Sequence, residues 1–173
     1  MTLTLTAGLF LAAAASTPET ISLHHDDKAG ILTVLVAGRE AFVYRYGPDL
    51  DLPHIWPLNT PSGRDLLVQH PDPYPHHRSF WWADTVKLDG GRDVSVYNGL
   101  YTGIKKSETV YEPPFKDHIR HVAFDRREAK GDRAEIAERL VWEMDGGVPV
   151  LDEVRRTIVH SLGGGEYLLD ITE

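Results

Sequence analysis

The chain contains no cysteine. That excludes a thiol nucleophile, a zinc–thiolate site, an iron–sulfur cluster and a lipidated cysteine anchor together. It does not exclude export, since a chain of 173 residues can fold without disulfides. Positive charge is scarce. The 18 Lys and Arg stand against 26 Asp and Glu, a formal net charge of −8. A nucleic acid or an anionic membrane would want a basic face, so neither partner is expected. Long apolar runs are also missing. Ala7–Ala15 (AGLFLAAAA) falls well short of the ~20 residues that span a bilayer, and no other segment comes closer. There is no Gly-rich phosphate loop, no Gly-x-Ser-x-Gly elbow and no repeat of fixed period.

What is present begins with Met1–Thr20, which has the layout of a secretory signal without a Lys or Arg near Met1. Ala7–Ala15 is the apolar region, and Ala13-Ala14-Ala15 before Ser16 offers small residues for cleavage. The expectation is a signal peptide over residues 1–18, a single domain over 19–173, and a periplasmic or secreted protein, otherwise a cytoplasmic one.

Most of the remaining chain reads as β. Gly30–Ala37 (GILTVLVA) is apolar and β-branched between two glycines, which predicts a strand buried on both faces. Gly38-Arg39-Glu40 leads as a hairpin into Ala41–Tyr46. His54–Leu58, between Pro53 and Pro57, is expected at a sheet edge. Ser79–Leu88, Val94–Tyr97 and Ile119–Phe124 are further strands. Arg133–Met144 fits either a helix or a strand. Ala134, Ile136, Leu140, Trp142 and Met144 share one strand face that Glu138 interrupts, and Asp145-Gly146-Gly147 then gives hairpin chemistry before Val148–Val159. Strand is preferred. Gly163-Gly164-Gly165 turns the chain into Tyr167–Thr172. The fold class expected is all-β, an antiparallel β-sandwich. The chain stops at Glu173 within a strand-like segment, so the domain is expected to be incomplete there.

The stretch His70–Trp82 (HPDPYPHHRSFWW) concentrates the chemistry. It holds histidines, prolines, tryptophans and Arg78 in one short segment. Prolines restrict the loop, so its imidazoles and guanidinium are ordered at little further entropic cost. If Pro75–Trp82 is extended, His76, Arg78, Phe80 and Trp82 share one face, and His77, Ser79 and Trp81 the other. One histidine and one tryptophan would then serve a ligand. Histidine suits general acid–base work near neutral pH, and Arg78 offers a planar fork of donors for an oxygen-rich substrate. The candidate catalytic residues are His76, His77 and Arg78. The candidate substrate-binding residues are Tyr74, Trp81, Trp82 and Asp84, with Tyr97-Asn98-Gly99 either at the pocket border or only a turn. An alternative uses His70, Asp72 and His76 or His77 as metal ligands, although the spacing matches no strong metal motif. A third reading is glycan binding without turnover, and a fourth is a loop whose histidines satisfy buried backbone groups. His24-His25-Asp26-Asp27 reads as solvated. His118 and His121 are expected at the surface, and Glu153, Arg155 and Arg156 as ion pairs across a sheet face.

Tyr74–Ala83 (YPHHRSFWWA) resembles the HPHHRSLWFAHG hallmark of a bacterial family labelled methane oxygenase, PmoA-like. Trp142, Gly146, Gly147, Pro149-Val150-Leu151, Glu153 and Arg155 resemble that family's next pattern, as do Tyr167-Leu168-Leu169-Asp170 and, loosely, Tyr44–Pro48. The family is in turn similar to the galactose-mutarotase-like supersandwich of sugar epimerases and glycan-processing enzymes. The resemblance covers roughly residues 40–173. It implies a β-sandwich acting on a carbohydrate small molecule or glycan. It also implies that a carboxylate base lies in a C-terminal half absent from this chain. A membrane methane oxygenase is not implied, since its subunits are polytopic and this chain has no span. No cofactor is expected.

Overall fold

The computed structural model describes residues 16–98, 103–106 and 111–173, with the side chains of Ile104 and Tyr111 excepted. Most of the expected signal segment, residues 1–15, and Gly99 of the Tyr97-Asn98-Gly99 stretch lie outside the described residues. The structure is all-β, with no helix among the described residues. The first sheet runs in the order β1 (Ile21–Asp26), β2 (Ile31–Val36), β3 (Arg39–Arg45), β4 (His54–Leu58) and β5 (Phe80–Trp81). Two short hairpins follow: β6 (Thr85–Lys87) with β7 (Asp93–Ser95), and β8 (Ile104–Lys105) with β9 (Tyr111–Glu112). The second large sheet is a meander of β10 (His118–Lys130), β11 (Arg133–Met144), β12 (Val148–Gly163) and β13 (Glu166–Thr172). All pairings are antiparallel.

The two large sheets pack face to face, as their alternating patterns require. Leu32, Val34, Phe42, Tyr44 and Ile55 from the first sheet meet Ala134, Ile136 and Val159 from the second. A smaller cluster of Leu52, Val96, Ile119, Leu140 and Trp142, joined by Trp81, fills the end nearer the short hairpins. One side of the sandwich is tied at β1, where the Ile21 amide donates to the Gly131 carbonyl at 2.8 Å. Gly30 lets the β1–β2 turn touch the end of β3. It has a φ of +65°, and a Cβ there would sit 2.2 Å from the Gly47 Cα.

Three local expectations are corrected. β2 buries one face, not two: Leu32, Val34 and Val36 are buried while Ile31, Thr33 and Leu35 are partly covered. β4 is not an edge strand, because β5 pairs with it at His54 and Ile55. Pro57 is tolerated because it lies beyond that two-residue pairing. Ser79–Leu88 is not one strand; it breaks at Trp82–Asp84 into β5 and β6. Arg133–Met144 is a strand, with Ala134, Ile136, Leu140 and Trp142 buried.

Candidate functional site

The strand anticipated over Pro75–Trp82 forms only at Phe80–Trp81. Pro71, Pro73 and Pro75 lack amide donors and cannot enter a ladder. The segment turns instead, with the Tyr74 amide donating to Pro71 at 2.7 Å and the His77 amide to Tyr74 at 3.0 Å. Strand alternation is therefore suspended at His76 and His77, and the two rings meet edge to face at 4.4 Å. Neither has to turn away from the other.

Two polar networks brace this loop from below. Arg78 is buried and pairs with Asp51, which is 1% exposed. A second Arg78 nitrogen donates to His70 Nε2 at 2.6 Å. His70 must then carry its proton on Nδ1, which donates to the Pro75 carbonyl at 2.6 Å. The other network centres on His54, also 1% exposed. Its Nδ1 donates to the Leu52 carbonyl at 3.1 Å, and the Gln69 amide donates to its Nε2 at 2.8 Å. The Gln69 oxygen accepts the Ser79 amide at 3.0 Å, and the Ser79 hydroxyl donates to the Ile55 carbonyl. Burial, then the nearby Arg78 charge, pulls the His54 pKa down to about 3. Arg78 therefore sits as a brace of the loop, where sequence reasoning placed it as an arm toward substrate. Sequence reasoning missed Asp51, His54 and Gln69, because nothing local marks a residue that touches the loop only through the fold.

Above these networks lies an aromatic face. His77 stacks on Tyr74 at 5.1 Å and lies 6.4 Å from Trp81. Trp81 is 5.3 Å from Tyr97, whose hydroxyl is 3.4 Å from His77 Nε2. Tyr74 and Tyr97 are 54% and 40% exposed, so the rings offer open surface. His76 lies beneath, 5.6 Å from the Tyr97 ring. Burial, then the neighbouring His77, lowers the His76 pKa, so it is neutral at neutral pH and able to accept a proton.

Trp82 and Asp84 do not join that face. They line a separate cleft of about 600 Å³ with Trp142, Asp152, Glu153 and Glu173. Trp82 lies over the Arg155 guanidinium at 4.8 Å. The metal alternative finds no support in the geometry. Both ring nitrogens of His70 are engaged, and no group of three His, Asp or Glu among the described residues converges as metal ligands would.

The inner faces of β11 and β12 correct other expectations. Glu138, which interrupts the apolar row of β11, is 3% exposed and points inward. It accepts from the Tyr44 hydroxyl at 2.6 Å and lies 2.8 Å from His121 Nδ1. His121 and His118 are therefore not surface residues; His118 lies 3.0 Å from Glu143. Arg155, opposite Glu138 in register, is 2% exposed, so its pairing with Glu153 is interior. By contrast, His24 and His25 are exposed, as expected. The break in the hydrophobic alternation at Glu138 was the available sequence signal for this buried polar row.

No helix among the described residues is long and apolar enough to cross a membrane. No curated protein and no solved structure matches the chain. Residues 32–173, most of the two-sheet sandwich and all of the loop and cleft, match the model of the Family of unknown function (DUF6807), and the chain belongs to that family.

Proposed function

We propose that the protein is carbohydrate-active and that a sugar ring lies on the face formed by Tyr74, His77, Trp81 and Tyr97. The observation that carries this reading is the braced aromatic–imidazole surface itself. Flat rings suit the C–H face of a pyranose, and imidazoles at their edge suit its hydroxyls. Neutral His76, or His77 beside it, exchanges a proton with a hydroxyl or ring oxygen. Arg78 acts as a positioning residue through Asp51 and His70. The similarity to the PmoA-like and galactose-mutarotase-like proteins agrees with a sugar ligand, as analogy only. Export to the periplasm or beyond belongs to the same proposal and rests on the pattern in Met1–Thr20.

A non-catalytic binding module is the second reading. It is favoured by the engagement of Arg78 within the loop, which leaves the face with rings but no free guanidinium. His77→Ala decides the location, because His77 is only partly buried and takes no part in the Arg78 and His54 hydrogen-bond networks that brace the loop. Sugar binding, measured by tryptophan fluorescence against a glycan panel, should be lost while the melting temperature stays near wild type. A large fall in melting temperature would assign His77 to the loop's stability instead. Turnover of a bound glycan separates the enzyme from the module.

A further inference from the structure

His70 stands at the foot of the loop with an exposed side chain and an unusual backbone. Its φ is +53°, in the left-handed region that residues other than glycine rarely take. Such a conformation lasts only where surrounding bonds hold it. Three bonds do so here. The His70 amide donates to the His77 carbonyl at 3.1 Å. Its Nδ1 donates to the Pro75 carbonyl, and its Nε2 accepts from Arg78, both at 2.6 Å. The ring thus joins the buried Arg78–Asp51 pair to the turn that carries Tyr74, His76 and His77.

Arg78 depends on this ring in return. Its Nη2 is committed to Asp51, its buried Nε has no partner, and its Nη1 bonds to His70. A guanidinium only donates, so an acceptor is required at that point. A neutral imidazole supplies one. A protonated imidazole donates from both nitrogens, and its Nε2–H would face an N–H of Arg78. The titratable groups around the ring offer no replacement. Asp51, from the β3–β4 connection, is already paired with Arg78, and His54, on β4, accepts from Gln69. Asp72 in the same turn is exposed, and His76 and His77 meet each other and the aromatic rings. We propose that His70 is the latch of the aromatic–imidazole face. It is a positioning residue whose Nε2 must accept from Arg78 for the loop to hold that face. Loss of the acceptor, by substitution or by protonation, releases the face. The consequence for a bound sugar rests on the carbohydrate reading; the latch does not.

Two substitutions separate the ring from the backbone. His70→Gly suits the positive φ but removes the acceptor, whereas His70→Gln keeps an acceptor oxygen that no proton blocks. Each variant of the whole chain is checked by thermal melting. The Trp81 indole and the amides of Tyr74 and His77 are followed by heteronuclear NMR without sugar, from pH 8 to pH 5. Binding of a panel of methyl pyranosides is measured over the same range by tryptophan fluorescence. At pH 8, His70→Gln should match wild type. His70→Gly should shift and broaden the loop signals and bind pyranosides roughly tenfold or more weakly, the factor for one hydrogen bond to a charged group. On acidification, wild type should move toward the His70→Gly spectrum and affinity, and His70→Gln should lag behind it. His54, His76 and His77 are present in both proteins, so the difference between them belongs to His70. A His70→Gly protein with wild-type loop signals overturns the latch, as do parallel pH profiles of wild type and His70→Gln. If His70→Gln is itself disordered at pH 8, the acid course of wild type toward the His70→Gly spectrum still decides. No pyranoside binding by any form, with the spectra separating as expected, overturns the sugar reading and keeps the latch.

Discussion

Lowering the pH should weaken the fold through His54 before it touches the carboxylates. His54 is buried against the Leu52 carbonyl and the Gln69 amide, with the Arg78 charge nearby. Its pKa falls from 6.5 to about 3 on folding. The unfolded chain therefore takes up a proton near pH 6.5 that the native state refuses until about pH 3. The stability His54 contributes is full above pH 6.5 and is lost as the pH falls toward 3. At about 1.36 kcal/mol per pKa unit, the whole interval corresponds to roughly 4–5 kcal/mol. About 2 kcal/mol of that should be lost between pH 7 and pH 5, while most carboxylates stay ionised.

The assay is urea unfolding, followed by tryptophan fluorescence, at half-unit pH steps for wild type and His54→Leu. Leucine leaves the Leu52 carbonyl and a Gln69 N–H without their partner. The variant should therefore be less stable at pH 7, by roughly 1–3 kcal/mol for each group left unpaired. Its stability should nevertheless fall less steeply than wild type from pH 7 to pH 5, by about 2 kcal/mol over the interval. His76, also held neutral by burial, acts in the same direction in both proteins and cancels in the comparison. Parallel pH profiles for the two proteins would refute the assignment of a neutral, load-sharing imidazole at position 54.

Other perturbations have equally definite outcomes. Arg78→Ala leaves Asp51 charged and buried, so it should cost roughly 3–5 kcal/mol in urea unfolding, whereas a free substrate arm would cost little. Gly38→Ala meets no neighbour at a φ of +74° and should cost roughly 1–2 kcal/mol, while Gly30→Ala collides with Gly47 and should give no soluble folded protein. Arg156 and Arg133, with Arg126 further off, hold Glu135 at about pKa 2, so its contribution is present above about 4.5 and fades as pH falls toward 2. Glu135→Gln should flatten that acid limb in circular-dichroism titrations. Glu138→Leu leaves the Tyr44 hydroxyl and His121 Nδ1 without their buried partner, so it should cost roughly 1–3 kcal/mol in urea unfolding for each group left unpaired.

The sandwich was legible because its period is short and local. Ile136, Leu140 and Trp142 mark the inner face of β11 whatever they pack against, and Asp145-Gly146-Gly147 fixes the hairpin that follows. The loop was legible as a cluster but not as a shape. The same prolines that drew attention to His76 and His77 also removed the ladder bonds that strand alternation assumes. The bracing contacts of Arg78 were hidden for a different reason. A guanidinium reads as a ligand arm only if its own carboxylate is unknown, and Asp51 lies 27 residues away in sequence. Glu153 and Arg155 were placed on a sheet face correctly, but whether that face is wet depends on the opposite sheet.

Buried charge in this protein does not serve stability alone. Along β11 and β12 the inner positions hold both residues that a core needs, such as Ala134, Ile136 and Val159, and residues that a core must accommodate, Glu138, Glu153 and Arg155. Replacing a buried ion pair by apolar side chains of similar volume is often neutral or stabilising. Retaining three such groups in one stretch of two adjacent strands therefore needs a reason other than packing. Their placement supplies it. Arg155 carries Trp82, Glu153 carries Trp142, and both tryptophans wall the same cleft. Trp81 and Trp82, neighbours in sequence, thus address two surfaces, one toward the imidazole loop and one toward the acidic cleft.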